Sequence, residues 1–238
     1  MKPYTGYTVR IGFHCSSLRR IQAGLIALLL CLPFAASTAN ATAPATGARV
    51  YLLRGLMNIF SLGLDDIATK LQAQGIPVIV ANFASWSSLA EDAAAEYRSG
   101  RVRTIILVGH SAGATILPDM VARLSQRGVP VKLAIGLDST FRTNLAGHAD
   151  RYINFYIANG VGEPVTRSND FRGVLENVNV QSVPGVGHIS IDKNRVIQQK
   201  VISAIDAVVF SRQISPHKPS PHTSTAERGV NAAAAAAP

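Results

Sequence analysis

The chain is poor in cysteine, and this scarcity narrows its chemistry. Its only cysteines, Cys15 and Cys31, both fall within the first 41 residues. If that segment is removed, the remaining protein has no disulfide, no thiol nucleophile and no Cys-based metal site. The chain also lacks a His-x-x-x-His pair, a P-loop and a dinucleotide-binding fingerprint. The sequence therefore predicts no metal catalysis and implies no cofactor.

Charge is sparse too, at 16% of the residues, and it is not clustered. The formal net charge of +9 comes largely from the two ends, since residues 42–210 hold 16 basic and 13 acidic residues. Nucleic-acid binding usually needs Lys and Arg gathered on one face. The central region therefore predicts an ordinary solvated surface and no nucleic-acid partner.

The first 41 residues have the organisation of a secretory signal peptide. Arg19 and Arg20 precede an apolar run, Ile21 to Leu32, and small residues then lead to Ala39-Asn40-Ala41. These are the basic, apolar and A-x-A regions that a signal peptidase recognises, so we predict cleavage after Ala41. The apolar run is short for a membrane span, which makes an uncleaved anchor the weaker alternative. The sequence thus predicts a periplasmic or secreted protein without a stable membrane span after cleavage.

The remaining chain divides into a folded domain, 42–210, and a tail, 211–238. The tail contains Pro, Ser and His and ends in a run of six alanines before the last proline. Because it has too little apolar content to dock on a core, we predict that it is disordered.

Short apolar strands alternate with helical patterns throughout the domain. This alternation predicts βαβ units and a mostly parallel sheet of about six strands, with helices on both faces. Helices are expected from Ser61 as N-cap to Gly75, from Ser88 to Arg98, from Ser111 to near Gly128, and from Asp192 to Phe210. Strands are expected at Val50–Leu53, Pro77–Ala81, Thr104–Val108, Val131–Leu137, Tyr152–Ile157 and Val178–Val183, with loops over 139–150 and 158–177.

The central motif is Gly109-His110-Ser111-Ala112-Gly113, which lies between a buried strand and a helix. A Gly-x-Ser-x-Gly turn in that context places a nucleophilic serine at a strained backbone position. The N-terminal N–H groups of the following helix point back at the place where an oxyanion would form. The pattern therefore predicts Ser111 as a nucleophile.

A serine nucleophile needs a base and a group that orients it. His188 follows the last predicted strand in a Gly-rich loop and is the expected base, whereas His110 is expected to point away from Ser111 across the turn. Asp138 ends the strand after the nucleophile helix and is the favoured acid. Glu163, in a later loop, is the alternative.

Two backbone N–H groups are expected to bind the oxyanion. One belongs to Ala112, directly after the nucleophile. The other is expected from Gly55-Leu56-Met57 after the first strand, with Leu56 as the donor and Gly55 permitting close approach.

On these residues the chain resembles the α/β-hydrolases, and among them the thioesterase-like members whose acid follows the strand after the nucleophile. Gly109 to Gly113, Asp138 and His188 match the Ser…Asp…His order of that family, and the resemblance covers about 49–210. It implies a minimal α/β-hydrolase fold without a large lid. It also implies hydrolysis of a small-molecule carboxylic ester or thioester through an acyl-enzyme on Ser111. Arg54-Gly55 departs from the His-Gly found in many members.

Two alternatives stay open at the level of sequence. The first is a catalytically silent hydrolase-fold binding protein of the cell envelope, favoured by the small size and by Arg54. The second is an envelope interaction protein that binds through its basic, Ala-rich tail. The sequence does not specify an oligomeric state.

Overall fold

The computed structural model describes residues 47–56 and 61–210. The predicted signal peptide, the tail 211–238 and Met57 lie outside these residues. The strands are β1 (Ala48–Arg54), β2 (Val78–Asn82), β3 (Thr104–His110), β4 (Val131–Leu137), β5 (Asn144–Leu145), β6 (His148–Tyr156), β7 (Thr166–Arg167) and β8 (Arg172–Asn179). The helices are α1 (Gly63–Ala73), α2 (Trp86–Arg98), α3 (Ala112–Gln126) and α4 (Arg195–Phe210), with a 3₁₀ turn at Phe83–Ser85.

Six of the described strands form one parallel sheet in the order β2-β1-β3-β4-β6-β8. The central strand β3 is buried along its whole length. It is rich in Ile, Leu and Val, as expected for a parallel strand covered on both faces. The predicted α/β fold class, with a parallel sheet of six strands and helices on both faces, is confirmed.

Helices cover both faces of this sheet, as predicted. Leu64 and Ile67 of α1 pack with Val201 and Ile205 of α4 on one face. On the other face, α2 and α3 contribute Ala90, Ala93, Leu117, Met120, Val121 and Leu124 to a second core. Alternation along the strands divides their side chains between these two cores, so that Ile106 and Val108 belong to the first and Ile105 and Leu107 to the second.

The last strand differs from its prediction. The sequence predicted a loop over 158–177 and a strand at Val178–Val183, but β8 occupies Arg172–Asn179 and Val183 lies in the turn that follows. β8 is an edge strand with partly exposed faces, so its charged and amide side chains obscure the apolar alternation. The two segments predicted as loops, 139–150 and 158–177, also pair with each other through the short parallel strands β5 and β7.

Three helix starts also differ, and one of them is that of α2, which begins at Trp86 rather than at Ser88. The N-cap of α1 is Leu62 rather than Ser61, and the side chain of Leu62 makes no capping hydrogen bond. α4 begins at Arg195 rather than at Asp192. Both Ser61 and Asp192 form hydrogen bonds with distant parts of the chain instead, as described below.

The carboxyl ends of the parallel strands meet at one edge of the sheet, where ligands of such folds bind. Across the described residues, the connections that leave this edge contain turns, the 3₁₀ turn Phe83–Ser85 and the short strands β5 and β7, and they include no large lid. No helix within 47–56 and 61–210 has the length and hydropathy needed to cross a membrane.

Candidate active site

Ser111 lies at the sharp turn between β3 and α3. Its backbone has φ 57° and ψ −121°, a conformation that L-residues with side chains rarely adopt. Two close approaches permit this turn. A Cβ on residue 113 would overlap the carbonyl of Leu53, and one on residue 109 would lie 2.7 Å from the nitrogen of Ala114. Glycine at these positions therefore allows the strand and the helix to meet at the serine.

His188 lies within hydrogen-bonding distance of both Ser111 and Asp138. Its Nε2 is 3.0 Å from Ser111 Oγ, and its Nδ1 is 2.7 Å from Asp138 Oδ2. With an ionised Asp138, Nδ1 carries the proton, which leaves Nε2 of the neutral ring as an acceptor for the serine hydroxyl. The structure thus connects the three residues predicted from the sequence, Ser111, His188 and Asp138, through two consecutive hydrogen bonds.

Asp138 is held rigidly at the end of β4. Its side chain is buried, its φ is 52°, and its Oδ1 accepts a hydrogen bond from the backbone N–H of Ile157 at 2.9 Å. Each carboxylate oxygen therefore has one partner, and the carboxylate plane is fixed relative to the imidazole.

Glu163, the alternative acid, makes different contacts. Its carboxylate is 3.6 Å from the guanidinium of Arg142, and its side chain is 45% exposed. Its backbone carbonyl accepts a hydrogen bond from Asn154. Of the two predicted acids, only Asp138 hydrogen-bonds to His188 in the part of the chain that the structure describes.

A hydroxyl cluster joins the turn at Ser111 to the loop after Asp138. Thr115 Oγ1 donates to the carbonyl of Ser111 at 3.2 Å or to one of two neighbouring hydroxyls, those of Ser139 and Thr140, both at 3.0 Å. The backbone N–H of Thr140 in turn donates to Thr115 Oγ1. This cluster fixes the start of α3 against the end of β4.

The predicted oxyanion donors both lie beside Ser111. Ala112 is the first residue of α3, so its N–H has no acceptor within the helix. A Cβ on residue 55 would lie 2.9 Å from the Cβ of Ser111, so the backbone leading to Leu56 passes directly over Ser111. The N–H of Gly55 itself donates to Ser61 Oγ at 2.9 Å, so between the two described residues of this loop the N–H of Leu56 is the candidate donor.

His110 and Ser61, for which the sequence predicted no part in catalysis, form a buried pair behind Ser111. His110 Nδ1 is 2.8 Å from Ser61 Oγ, and His110 Nε2 is 2.8 Å from the carbonyl oxygen of His188. His110 therefore points away from Ser111, as predicted, and burial holds the pKa of its imidazole below the ordinary value. The only local signal was the position of His110 next to the nucleophile, because its partners are distant in sequence.

Asp192 also hydrogen-bonds to a residue that is distant in sequence. Its Oδ2 accepts a hydrogen bond from the N–H of Gly63 at 2.8 Å, and so it caps α1 from a distant loop. Burial raises the pKa of Asp192, and the nearby His110 opposes that rise.

Four aromatic residues, Phe83, Trp86, Phe141 and Phe171, differ in how far they are buried. Phe171 is buried in the second core, and Trp86 packs against the same core beneath the guanidinium of Arg123. Phe83 is half-buried in the 3₁₀ turn. Phe141, in contrast, is 69% exposed at the edge that carries Ser111.

No protein-family model matches the chain, and no curated protein matches it. Solved structures similar to it include that of a candidate hydrolase of the α/β superfamily from Xanthomonas campestris pv. campestris. That chain is 14% identical, with a TM-score of 0.42 over 67% of this chain and 98% of the other. The fold described above stands on strand order and helix packing, independently of this similarity.

Proposed function

We propose that the chain is a serine hydrolase that cleaves a small-molecule carboxylic ester or thioester through an acyl-enzyme on Ser111. The observation that supports this most is the row Ser111 Oγ, His188 and Asp138, with distances of 3.0 and 2.7 Å. A serine next to a base that is itself oriented by a carboxylate is the arrangement that activates a hydroxyl near neutral pH.

In the acylation half-reaction, Ser111 Oγ attacks the carbonyl carbon and its proton passes to His188 Nε2. The carbonyl oxygen becomes an oxyanion that the N–H groups of Leu56 and Ala112 bind. Asp138 holds Nδ1–H and stabilises the imidazolium. When the tetrahedral intermediate collapses, the alcohol or thiol takes the proton from His188 and leaves.

In the second half-reaction, a water molecule attacks the acyl-Ser111 ester and gives its proton to His188. The carboxylic acid then leaves, and Ser111 regains its proton from the same nitrogen. The protein groups are unchanged after the cycle, so no cofactor is needed for the proton and electron balance.

The exposed side chains around the site favour a substrate with an apolar acyl group. Seven large apolar side chains are exposed among those described, and four of those in loops at this edge lie close in sequence to Ser111, Asp138, His188 or the residues that contact them. Leu56 follows Gly55, Val161 precedes Gly162, and Ile189 follows His188. The fourth is Phe141. Apolar contacts of this kind bind hydrocarbon without demanding a particular polar group.

The test uses the protein without its first 41 residues, a fluorophosphonate probe and p-nitrophenyl acetate. We expect stoichiometric labelling that mass spectrometry locates at Ser111, and loss of labelling in Ser111→Ala and His188→Ala. A folded wild-type protein with an inert Ser111 would overturn the proposal and favour a catalytically silent binding protein.

We also propose that the protein is exported and acts in the periplasm or outside the cell, on the basis of residues 1–41 alone. Expression of the full chain in a Gram-negative host should give a periplasmic protein whose first residue is Thr42. Retention of the intact leader on membranes would support the uncleaved anchor instead.

A further inference from the structure

Behind the nucleophile lies a second serine–histidine pair, Ser61 and His110, which the proposed mechanism does not use. Both side chains are fully buried. Three contacts connect them to the site: Gly55 N to Ser61 Oγ at 2.9 Å, Ser61 Oγ to His110 Nδ1 at 2.8 Å, and His110 Nε2 to the His188 carbonyl at 2.8 Å.

The chemistry of these groups fixes the direction of each hydrogen bond. A carbonyl oxygen can only accept, so His110 Nε2 must carry a proton and donate to His188. In the neutral ring Nδ1 is then an acceptor, and the hydroxyl of Ser61 donates to it. Ser61 Oγ still has a lone pair for the N–H of Gly55. Burial favours the neutral imidazole that this arrangement requires.

This series of hydrogen bonds begins at the oxyanion loop, at Gly55, and ends at the base loop, at His188. Both loops must contact the same substrate. Gly55 precedes Leu56, the proposed oxyanion donor, and its backbone lies against Ser111. His188 is the proposed base. We propose that His110 and Ser61 are positioning residues, which hold the oxyanion loop and the base loop in register across Ser111. This inference rests on the proposed serine-hydrolase function.

The same two loops are also tied at a second point, farther from Ser111. Asp192 accepts from the N–H of Gly63, and Gln198 Nε2 donates to the carbonyls of Gly63 and Asp192 at 3.2 and 2.8 Å. A Cβ on residue 63 would overlap the backbone of Asp192, so the packing there is tight. We therefore expect the fold to survive the loss of the His110 contacts, and the alignment of Leu56 with His188 to be lost.

Two substitutions of His110 each keep one of its two hydrogen bonds and remove the other. The side-chain amide of His110→Asn reaches the position of Nδ1 and keeps the link to Ser61. That of His110→Gln reaches the position of Nε2 and keeps the link to His188. His148→Asn is the matched control, since His148 is half-exposed at the start of β6, at the opposite edge of the sheet.

With p-nitrophenyl acetate we expect each His110 variant to lower kcat by about 10- to 100-fold while KM stays within about twofold of wild type, because alignment with the oxyanion matters in the transition state. The control should keep the wild-type kcat. A purely structural role would lower the fraction of folded protein that fluorophosphonate can label, without changing kcat per labelled site.

A measurement on the wild type tests the arrangement even if the variants do not fold. Two-bond ¹H–¹⁵N correlation spectra of the imidazoles should show His110 as the Nε2–H tautomer. The Nδ1–H tautomer, or variants whose kcat per labelled site equals that of wild type, would overturn the inference. A wild-type protein that neither reacts with fluorophosphonate nor cleaves the ester would instead refute the proposed function.

Discussion

Gly162 lies against the carboxylate of Asp138 so closely that a Cβ on residue 162 would overlap Oδ1 and lie 2.6 Å from Cγ. The carboxylate is also held by the N–H of Ile157 and by His188 Nδ1. It has no free space into which it could move without giving up one of these bonds. The glycine at 162 therefore leaves room for the Asp138 carboxylate, which in turn orients the imidazole of His188.

Gly162→Ala is expected to lower kcat/KM for p-nitrophenyl acetate by about 10- to 1000-fold, less than the roughly 10⁴-fold typical of removing the triad carboxylate charge. The overlap should also cost about 1–3 kcal/mol in the free energy of unfolding. Gly187→Ala is the control, because its Cβ would meet only Ser190 Oγ, at 3.6 Å. Equal activity in the two variants would contradict a role for the Gly162 contact.

Asp138→Asn and Glu163→Gln distinguish the two predicted acids. Asp138→Asn should lower kcat by about 10⁴-fold, because an amide at this position cannot favour the correct tautomer of His188 or stabilise its charged form. Glu163→Gln removes only an exposed ion pair with Arg142 and should leave kcat within about twofold. Steady-state kinetics with one ester decides between them, and a large loss in the Glu163 variant would assign the acid there.

The proximity of Ser111, Asp138 and His188 could be predicted because each one follows a strand. In a parallel sheet, side chains after successive carboxyl ends are brought to one edge. Ser111 and Asp138 are therefore positioned by the strand pattern itself, and His188 by the loop after the last strand. The expected position of His188 did not depend on the exact bounds of the last strand. That strand ends before His188 both as predicted, at Val183, and as observed, at Asn179.

The roles of Ser61 and Asp192 could not be predicted from local sequence. Both residue types are common at helix N-termini, and this preference led to their assignment as helix starts. In the structure their partners are His110 and Gly63. The pairing of β1 with β3 brings Ser61 near His110, and the packing of α1 and α4 on the same face of the sheet brings Asp192 near Gly63. Local preference was outweighed by the need to satisfy buried polar groups between two helices.

His110→Asn is expected to change how stability depends on pH. Burial lowers the pKa of His110 in the folded protein, whereas an unfolded histidine titrates near about 6.5. Below that pH the unfolded chain therefore takes up a proton more readily at this residue than the folded chain, and the free energy of unfolding falls. The contribution of neutral His110 is thus complete above about pH 6.5 and is lost as the pH decreases.

Urea unfolding of wild type and His110→Asn at pH 7.5, 6.0 and 5.0 measures this effect. The difference in unfolding free energy should be largest at pH 7.5 and become smaller toward pH 5.0. Asp192, whose pKa burial raises, titrates in both proteins. A difference that stays constant over this range would show that His110 is not held neutral by its burial.

Phe141→Ser tests the proposed apolar contact with the acyl group. Phe141 is 69% exposed at the edge that carries Ser111, so its removal should cost little stability. A longer acyl chain that packs on this ring loses apolar contact in the variant, at about 25 cal/mol per Å². We expect kcat/KM for p-nitrophenyl octanoate to fall about three- to tenfold, while the value for the acetate stays within about twofold. Val174→Ser, which removes a side chain 55% exposed on β8, should change neither value. If both esters lose activity equally in Phe141→Ser, the ring supports the loop after Asp138 rather than the substrate.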